Sequence, residues 1–240
     1  MIKVLTYFTK IIITVIATLL FFSCGFEKVD GNGTVTTQQR DVKNGFTKVS
    51  AGSGLEVEII HGSKHTITVE ADENLMAHIF TEVSGDELEI KTDVNIGNAA
   101  EKKVTVTLPE IEAIEASSGV QVKTKKLKSD NLELSTSSGS HMETDIEANT
   151  AKCESSSGSY LKVNGTVEKL ETHSSSGSTL DAGGLNAKNA KSEASSGSTT
   201  TVNATVELDA QASSGSSIHY VNTPSKLNTK ASSGGSISQN

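Results

Sequence analysis

Cysteine is scarce in this sequence. Among 240 residues only Cys24 and Cys153 carry a thiol, which excludes the disulfide framework that holds many small secreted domains together. The six histidines do not cluster at metal-ligand spacings; they stand at positions 61, 65, 78, 141, 173 and 219. We therefore expect no metal and no other cofactor, and a stability that comes from side-chain packing and backbone pairing.

Arginine and aromatic residues are scarce as well. Arg40 is the single arginine, the net charge is −8 at pH 7, and aromatic residues make up 4% of the chain, with no tryptophan. Nucleic-acid binding needs concentrated Lys and Arg to neutralise phosphates, and the one dense basic segment, residues 123–128, is typical of a solvated turn. Nucleic acid is therefore excluded as a partner. Tyr160 is the best candidate for an outward-facing aromatic side chain.

One long apolar run is present, near the N-terminus. Residues 11–22 follow Lys3 and Lys10 and contain no charged residue. The run is shorter than the roughly 20 residues that a helix needs to cross a bilayer, and a basic start followed by such a run is typical of a secretion signal. The pattern predicts an exported protein from which residues 1–23 are removed.

Cys24 directly follows this run, between Ser23 and Gly25. The arrangement resembles the lipobox of bacterial lipoproteins, in which the cysteine receives a diacylglyceryl group and becomes the mature N-terminus, although Phe21 departs from the small or aliphatic residue usual there. It predicts attachment to a membrane through a lipid on Cys24, in the cell envelope, as an outer-membrane lipoprotein that is periplasmic or surface-exposed. The alternative is a signal peptide with an incidental cysteine.

The motif Ser-Ser-Gly recurs through the second half of the chain at intervals of 18–20 residues. Its glycines are Gly119, Gly139, Gly158, Gly177, Gly197, Gly215 and Gly234. A flexible Ser/Gly linker would not keep such a period, so the motif predicts one structural unit, here called a coil, that is repeated. Glycine can adopt the positive φ that a tight corner requires, and we expect these seven glycines to be structural turn residues.

Small or aliphatic residues alternate with polar residues on both sides of each motif. The position four residues before the glycine is mostly polar or charged, and it holds Glu115, Ser135, Glu154, His173, Glu193, Gln211 and Lys230. A two-residue alternation is typical of β-strands, so each coil should contain two short strands joined at the motif, followed by a looser return. We expect the serine and threonine hydroxyls of the interior to form hydrogen bonds, because an unpaired buried hydroxyl is costly.

Stacking such coils about 4.8 Å apart would align like residues in columns and pair the backbones in parallel. The sequence therefore predicts an all-β fold, a parallel β-helix with about 19–20 residues per coil. Hexapeptide repeats and glycine-rich calcium-binding repeats are missing, which favours the right-handed, pectin-lyase-like type.

Residues 45–110 lack the motif but keep the alternation of strands, and residues 72–80 have the spacing of a single helical turn. We expect a flexible tether over residues 24–44, which are mostly polar. One β-helix domain should then span residues 45–240, with larger, irregular coils in its first part and motif-phased coils over residues 111–240.

The last coil of this sequence, around Gly234, has no capping helix. An uncapped parallel edge can pair with another chain, so we expect self-association through this coil. Light scattering at high protein concentration tests this expectation, and a strictly monomeric mass would count against it.

The segment 44–75, NGFTKVSAGSGLEVEIIHGSKHTITVEADENL, followed by serial Ser-Ser-Gly-Ser corners, resembles the family named putative auto-transporter adhesin, head GIN domain. The resemblance covers about residues 45–225. It implies a Bacteroidetes envelope protein with a pectin-lyase-like β-helix, no recognised catalytic residues, and a role in cell adhesion. A shared fold by itself is only an associational argument for function.

Repeated corners offer many equivalent contact points and favour a non-enzymatic protein that binds a glycan or a protein on the cell surface. One alternative is a carbohydrate-active β-helix enzyme, which would need clustered carboxylates or a basic catalytic residue. The aspartates of the coils stand singly, at Asp130, Asp145, Asp181 and Asp209, and His141 and His173 face outward without a repeating acid partner. Another alternative is a structural or regulatory partner protein in the periplasm.

Overall fold

The computed structural model describes residues 27–240, so the predicted leader and Cys24 lie outside the described residues. Within that range the chain is almost entirely β-structure. The strands are β1 Lys28–Val29, β2 Val35–Arg40, β3 Lys48–Ala51, β4 Glu56–His61, β5 Thr66–Asp72, β6 Ile79–Ser84, β7 Glu87–Thr92, β8 Asn95–Ile96, β9 Lys102–Leu108, β10 Ala113–Ala116, β11 Gln121–Thr124, β12 Leu127–Thr136, β13 His141–Ser155, β14 Tyr160–Ser174, β15 Thr179–Ala194, β16 Thr199–Ala212, β17 Ser217–Tyr220, β18 Lys226–Ala231 and β19 Ser236–Gln239. One 3₁₀ helix spans Glu73–Leu75.

The strands from β10 onward stack in parallel as a β-solenoid of about seven coils. The register confirms the predicted columns, because residues five positions before each glycine lie beside one another: Leu134 pairs with Cys153, Cys153 with Thr172, and Thr172 with Ser192. All four side chains are buried. The segment that returns from one corner to the next is also paired in the middle coils, where β13 stays in register with β14 through Ile146 and Ala148. The expected looser return is therefore a paired strand there, because backbone pairing does not depend on apolar alternation.

Each Ser-Ser-Gly corner is a tight turn with two residues at positive φ. In the corner of Gly139 the amide of Ser140 donates to the carbonyl of Ser137 at 3.1 Å, and φ is 50° at Ser138 and 71° at Gly139, as in a type I′ turn. The glycine was predicted at positive φ, whereas the preceding serine was not. Positive φ is uncommon in residues other than Gly, Asn and Asp, and it recurs here at every motif serine before the glycine.

The corners are joined to one another by a ladder of backbone hydrogen bonds. The amide of Gly139 donates to the carbonyl of Ser157 in the next coil at 3.1 Å, and the amide of Gly158 donates to Ser176 at 3.1 Å. The same bond joins the corners from Gly119 to Ser233. The left-handed conformation of the corner residues thus directs the glycine amide toward a serine carbonyl of the next coil.

We predict that Gly158→Ala destabilises the domain by about 1–2 kcal/mol, because a Cβ disfavours positive φ. No atom lies within 4 Å of the position that this Cβ would take, so the cost is conformational rather than steric. Ser157→Asn is the matched control, since Asn tolerates this conformation. Denaturant unfolding of the two variants measures the difference, and equal midpoints would contradict the prediction.

An eighth corner lies outside the motif series, at Ser53 and Gly54. Their φ values are 61° and 65°, and the Gly54 amide donates to the Ser118 carbonyl at 3.0 Å. Strands β3 and β4 on either side of it pair in parallel with β10 and β11. Residues 48–61 therefore form a regular coil, and residues 62–110 form an insertion between this coil and the next. The prediction of irregular coils throughout residues 45–110 is wrong for the first of these segments.

The insertion caps the N-terminal end of the solenoid. Strands β7 and β9 continue the stack in parallel on β3 and β4, and then the pairing turns antiparallel, with β5 on β9, β2 on β5, and β6 on β7. The 3₁₀ helix links β5 to β6, which confirms the predicted single helical turn, although Ile79 and Phe80 already belong to β6.

The N-terminal segment is part of this cap, and the predicted flexible tether over residues 24–44 is wrong where the structure describes it. Strand β2 pairs along its whole length with β5. The buried carboxylate of Asp72 accepts hydrogen bonds from the amides of Gly33 at 2.9 Å, Glu101 at 3.0 Å and Ala100 at 3.1 Å. Polar composition suggested a linker, but these polar groups are bonded to the cap.

The hydrogen bonds from Gly33, and then from Glu101 and Ala100, lower the pKa of Asp72. A carboxyl with a lowered pKa in the folded state stabilises the fold above its unfolded pKa of about 3.9, and this contribution is lost as the pH falls through the folded value. We predict that Asp72→Asn lowers the melting temperature at neutral pH and that its difference from wild type shrinks below about pH 4. Asp41→Asn, at an exposed site of the same segment, should match wild type throughout. A constant difference from pH 7 to pH 3 would contradict this assignment.

Candidate binding faces

Two outward faces meet at the corners. The first, here called the charged face, consists of the residues four and six positions before each corner glycine, including Glu133, Lys152, Glu154, Glu171, His173, Lys191, Glu193 and Asp209. The second, here called the Tyr160 face, consists of the residues two and four positions after each glycine, including His141, Glu143, Tyr160, Lys162, Asp181 and His219. The residues five positions before and three positions after each glycine are buried in the first five motif-phased coils. The predicted inward and outward positions of the strands are therefore confirmed there.

Charges of opposite sign alternate from coil to coil on the charged face. The ammonium group of Lys152 lies 2.8 Å from Glu154, and that of Lys191 lies 2.8 Å from Glu193 and 3.8 Å from Glu171. These hydrogen bonds raise the pKa of both lysines and lower the pKa of Glu193. Exposed ion pairs contribute little to stability, so their main effect is a fixed pattern of charge on a flat surface.

His173 lies within this network. Its Nε2 is 2.9 Å from Glu171 and its Nδ1 is 3.4 Å from Glu193, while His141 lies 3.1 Å from Glu143 on the other face. Each histidine thus has an acid partner, which the sequence did not indicate, although the acid lies after His141 and before His173 on its strand and so does not repeat at one position. The partners stand two residues away on the same strand, or one coil away, and both positions share a face with the histidine.

An open polar groove runs along the charged face beside the corners. It extends from Ser135 in one coil to Ser232 five coils later. Its lining includes Glu154, His173 and Glu193, together with the first serine of successive motifs. Those serines are half-buried at positions 156, 175, 195 and 213. An elongated ligand lying in this groove would contact a motif serine in successive coils, two carboxylates in alternate coils, and the imidazole of His173 between them.

The serine that follows the glycine in the five corners from Gly139 to Gly215 has a different role, because its hydroxyl points inward. Ser159 donates to the carbonyl of Thr136 at 3.0 Å, and Ser178 donates to the carbonyl of Ser155 at 2.7 Å, in each case in the preceding coil. Both are buried. Other interior hydroxyls pair along the stack, as Thr172 does with Ser192 at 2.8 Å. The expected hydroxyl hydrogen bonds are confirmed, and these serines are structural.

Tyr160 is stacked against His141 of the neighbouring coil. The ring centroids are 4.6 Å apart and the rings are inclined by 14°. One ring face of Tyr160 is therefore covered by the imidazole, and the phenol is half-buried. A sugar that stacked on this side chain would have only the other ring face, so the charged face with its groove is the better candidate for binding.

The interior thiol is not a nucleophile at neutral pH. Cys153 is fully buried, and burial raises its pKa to about 12, whereas reactive cysteines have a lowered pKa. Among residues 27–240 no three His, Cys, Asp or Glu side chains lie together in a way that could hold a metal ion. In the same part of the chain, no helix is long and apolar enough to cross a membrane.

The family model for the putative auto-transporter adhesin, head GIN domain, matches residues 45–224. The chain belongs to this family. The head GIN domain of this protein extends beyond the matched range at both ends, since β2 precedes it and β18 and β19 follow it. Membership is consistent with a protein of the cell envelope or cell surface.

Solved structures show the same fold at low sequence identity. A putative adhesin from Bacteroides fragilis is 22% identical, with a TM-score of 0.83, and the match covers 88% of this chain and 100% of that one. A putative lipid binding protein from Parabacteroides distasonis is 19% identical, with a TM-score of 0.72 over 89% of this chain and 100% of that one. A putative adhesin from Parabacteroides merdae is 16% identical, with a TM-score of 0.68 over 89% and 99%. Comparison with curated proteins gives no match.

Proposed function

We propose that this head GIN domain protein is a non-enzymatic adhesion or binding protein of the cell envelope, attached to the outer membrane by a lipid on Cys24. The observation that carries the proposal is the polar groove on the charged face, which repeats similar contact groups from Ser135 to Ser232. Repetition of this kind suits an extended polar polymer, a glycan or a protein segment, because successive coils add a motif serine and a second polar side chain at regular spacing.

Side chains fill the interior of the solenoid, although one structural relative is named a putative lipid binding protein. Inward side chains such as Leu161, Val163 and Leu180 are fully buried between the faces. They pack in columns with the hydroxyl ladder beside them. A ligand of this protein would therefore bind outside the coils, and the groove on the charged face offers polar groups from six successive coils.

Exposure on intact cells tests the first part of the proposal. Cells are treated with protease, and the protein is detected by immunoblotting beside a periplasmic control. We expect degradation of this protein while the control stays intact. Full protection would place the domain in the periplasm and exclude adhesion to external surfaces, leaving the structural or regulatory partner role.

Charge reversal tests the second part. We predict that the double variant Glu154→Lys/Glu193→Lys lowers attachment of cells to immobilised polysaccharides or host matrix proteins at least tenfold, because two carboxylates of the groove change sign. Glu143→Lys/Asp181→Lys is the matched control on the Tyr160 face and should leave attachment unchanged. Thermal melts of both variants establish that they fold. Equal attachment of wild-type cells and cells lacking the protein would contradict the adhesion role.

A further inference from the structure

The first described residues are fixed to the N-terminal cap by backbone hydrogen bonds. Strand β1 pairs in parallel with β8, with Lys28 beside Asn95 and Val29 beside Ile96. The amide of Asn95 donates to the carbonyl of Glu27 at 2.9 Å, and the amide of Gly97 donates to Val29 at 2.9 Å. The chain therefore belongs to the folded cap from Glu27 onward.

The residues that follow tie this segment down further. The side chain of Asp30 accepts a hydrogen bond from the amide of Asn98 at 2.8 Å, and the backbone carbonyl of Asp30 accepts one from the side chain of Asn74 at 2.9 Å. Gly31 packs so closely on Asp72 that a Cβ there would lie 1.9 Å from the carboxylate. These contacts of Asp30 and Gly31, here called the clasp, together with the pairing of strand β2, prevent residues 28–40 from acting as a flexible spacer between the lipid and the domain.

Only three residues, 25–27, separate Cys24 from Lys28. Four Cα–Cα steps span at most about 14 Å when fully extended. A flexible tether over residues 24–44 would instead have allowed a root-mean-square distance of about 25 Å. A lipid on Cys24 would therefore hold the cap at the level of the lipid headgroups.

Charge and shape indicate how the rest of the molecule is placed. Removal of the leader takes away Lys3 and Lys10 and no acid, so the net charge of −8 becomes −10. Anionic membrane surfaces attract basic segments, and an acidic surface is repelled over about a Debye length. Residues 62–110 of the cap are acidic as well, so it is the lipid on Cys24, and not charge, that would hold the cap near the headgroups. The charged face, where acids outnumber lysines, has no such attachment and is repelled from the bilayer. Nine stacked strands, from β7 to β18, make the solenoid about 40 Å long at about 4.8 Å per step.

We propose that the cap around β1 and β8 is the membrane-contacting end of the protein, and that the solenoid projects from the bilayer with its charged face free. The cap surface would contact the lipid headgroups that surround the lipid of Cys24. This inference rests on the lipid anchor of the proposed function. It adds an orientation, in which the corner of Gly234 is the end farthest from the membrane.

The test uses the full acylated lipoprotein in vesicles of phosphatidylethanolamine and phosphatidylglycerol that carry a headgroup-attached quencher. A fluorophore is placed on Asn98→Cys in the cap or on Ser225→Cys at the far end, both exposed sites. Cys153 is buried and should not be labelled. We expect the cap probe to be quenched at least fivefold more strongly than the far probe.

A spacer variant provides the matched control. Insertion of 20 Gly/Ser residues between Phe26 and Glu27 leaves every described contact in place and lengthens the connection to the lipid by a root-mean-square distance of about 25 Å. Quenching of the cap probe should then fall toward that of the far probe. Equal quenching of the two probes without the spacer, or no effect of the spacer, would overturn the proposed orientation.

Flotation separates this inference from the anchor on which it depends. Wild-type protein should float with vesicles, and the same chain produced from Gly25 onward, without the leader and Cys24, should not. Equal flotation of the two would overturn both the anchor and the orientation. Cys24-dependent flotation with equally quenched probes would overturn the orientation alone.

Discussion

The parallel backbone pairing between coils is the constraint on which the rest of the structure depends. The corner amides from Gly54 to Gly215 each donate a hydrogen bond to a carbonyl of the next coil, and these contacts fix both the stacking and the register. With the register fixed, like positions must lie in columns. A column can then be filled by small side chains or by paired hydroxyls, as with Thr172 and Ser192, so the narrow interior needs few large apolar residues.

The same register organises the surface. Residues two apart on a strand and residues one coil apart share a face, which brings His173 between Glu171 and Glu193 and lays Tyr160 on His141. A binding surface built in this way is extended and repetitive. It suits an elongated partner, which is consistent with the adhesion for which the family is named.

The two ends of the stack differ. At the N-terminal end the pairing changes from parallel to antiparallel, and strands β2 and β6 terminate the sheet beside the clasp at Asp72. At the other end β18 pairs in parallel with β16, and all of its side chains are exposed. One end is therefore a closed cap to which the N-terminal segment is bonded, and the other presents a regular strand.

The sequence by itself determined the repeat, the corner glycines and the alternation of buried and exposed columns, because these features are periodic and each depends on residues close together in the chain. The tertiary structure alone decided the early corner at Ser53 and Gly54, the incorporation of residues 28–40 into the cap, and the contact of His173 with Glu193 in the next coil. Each of these depends on contacts between different strands or coils: Gly54 meets Ser118, Gly33 meets Asp72, and His173 meets Glu193. Local composition cannot show such contacts, since a polar segment such as 28–40 has the same pattern whether its polar groups bind water or the backbone of a distant strand.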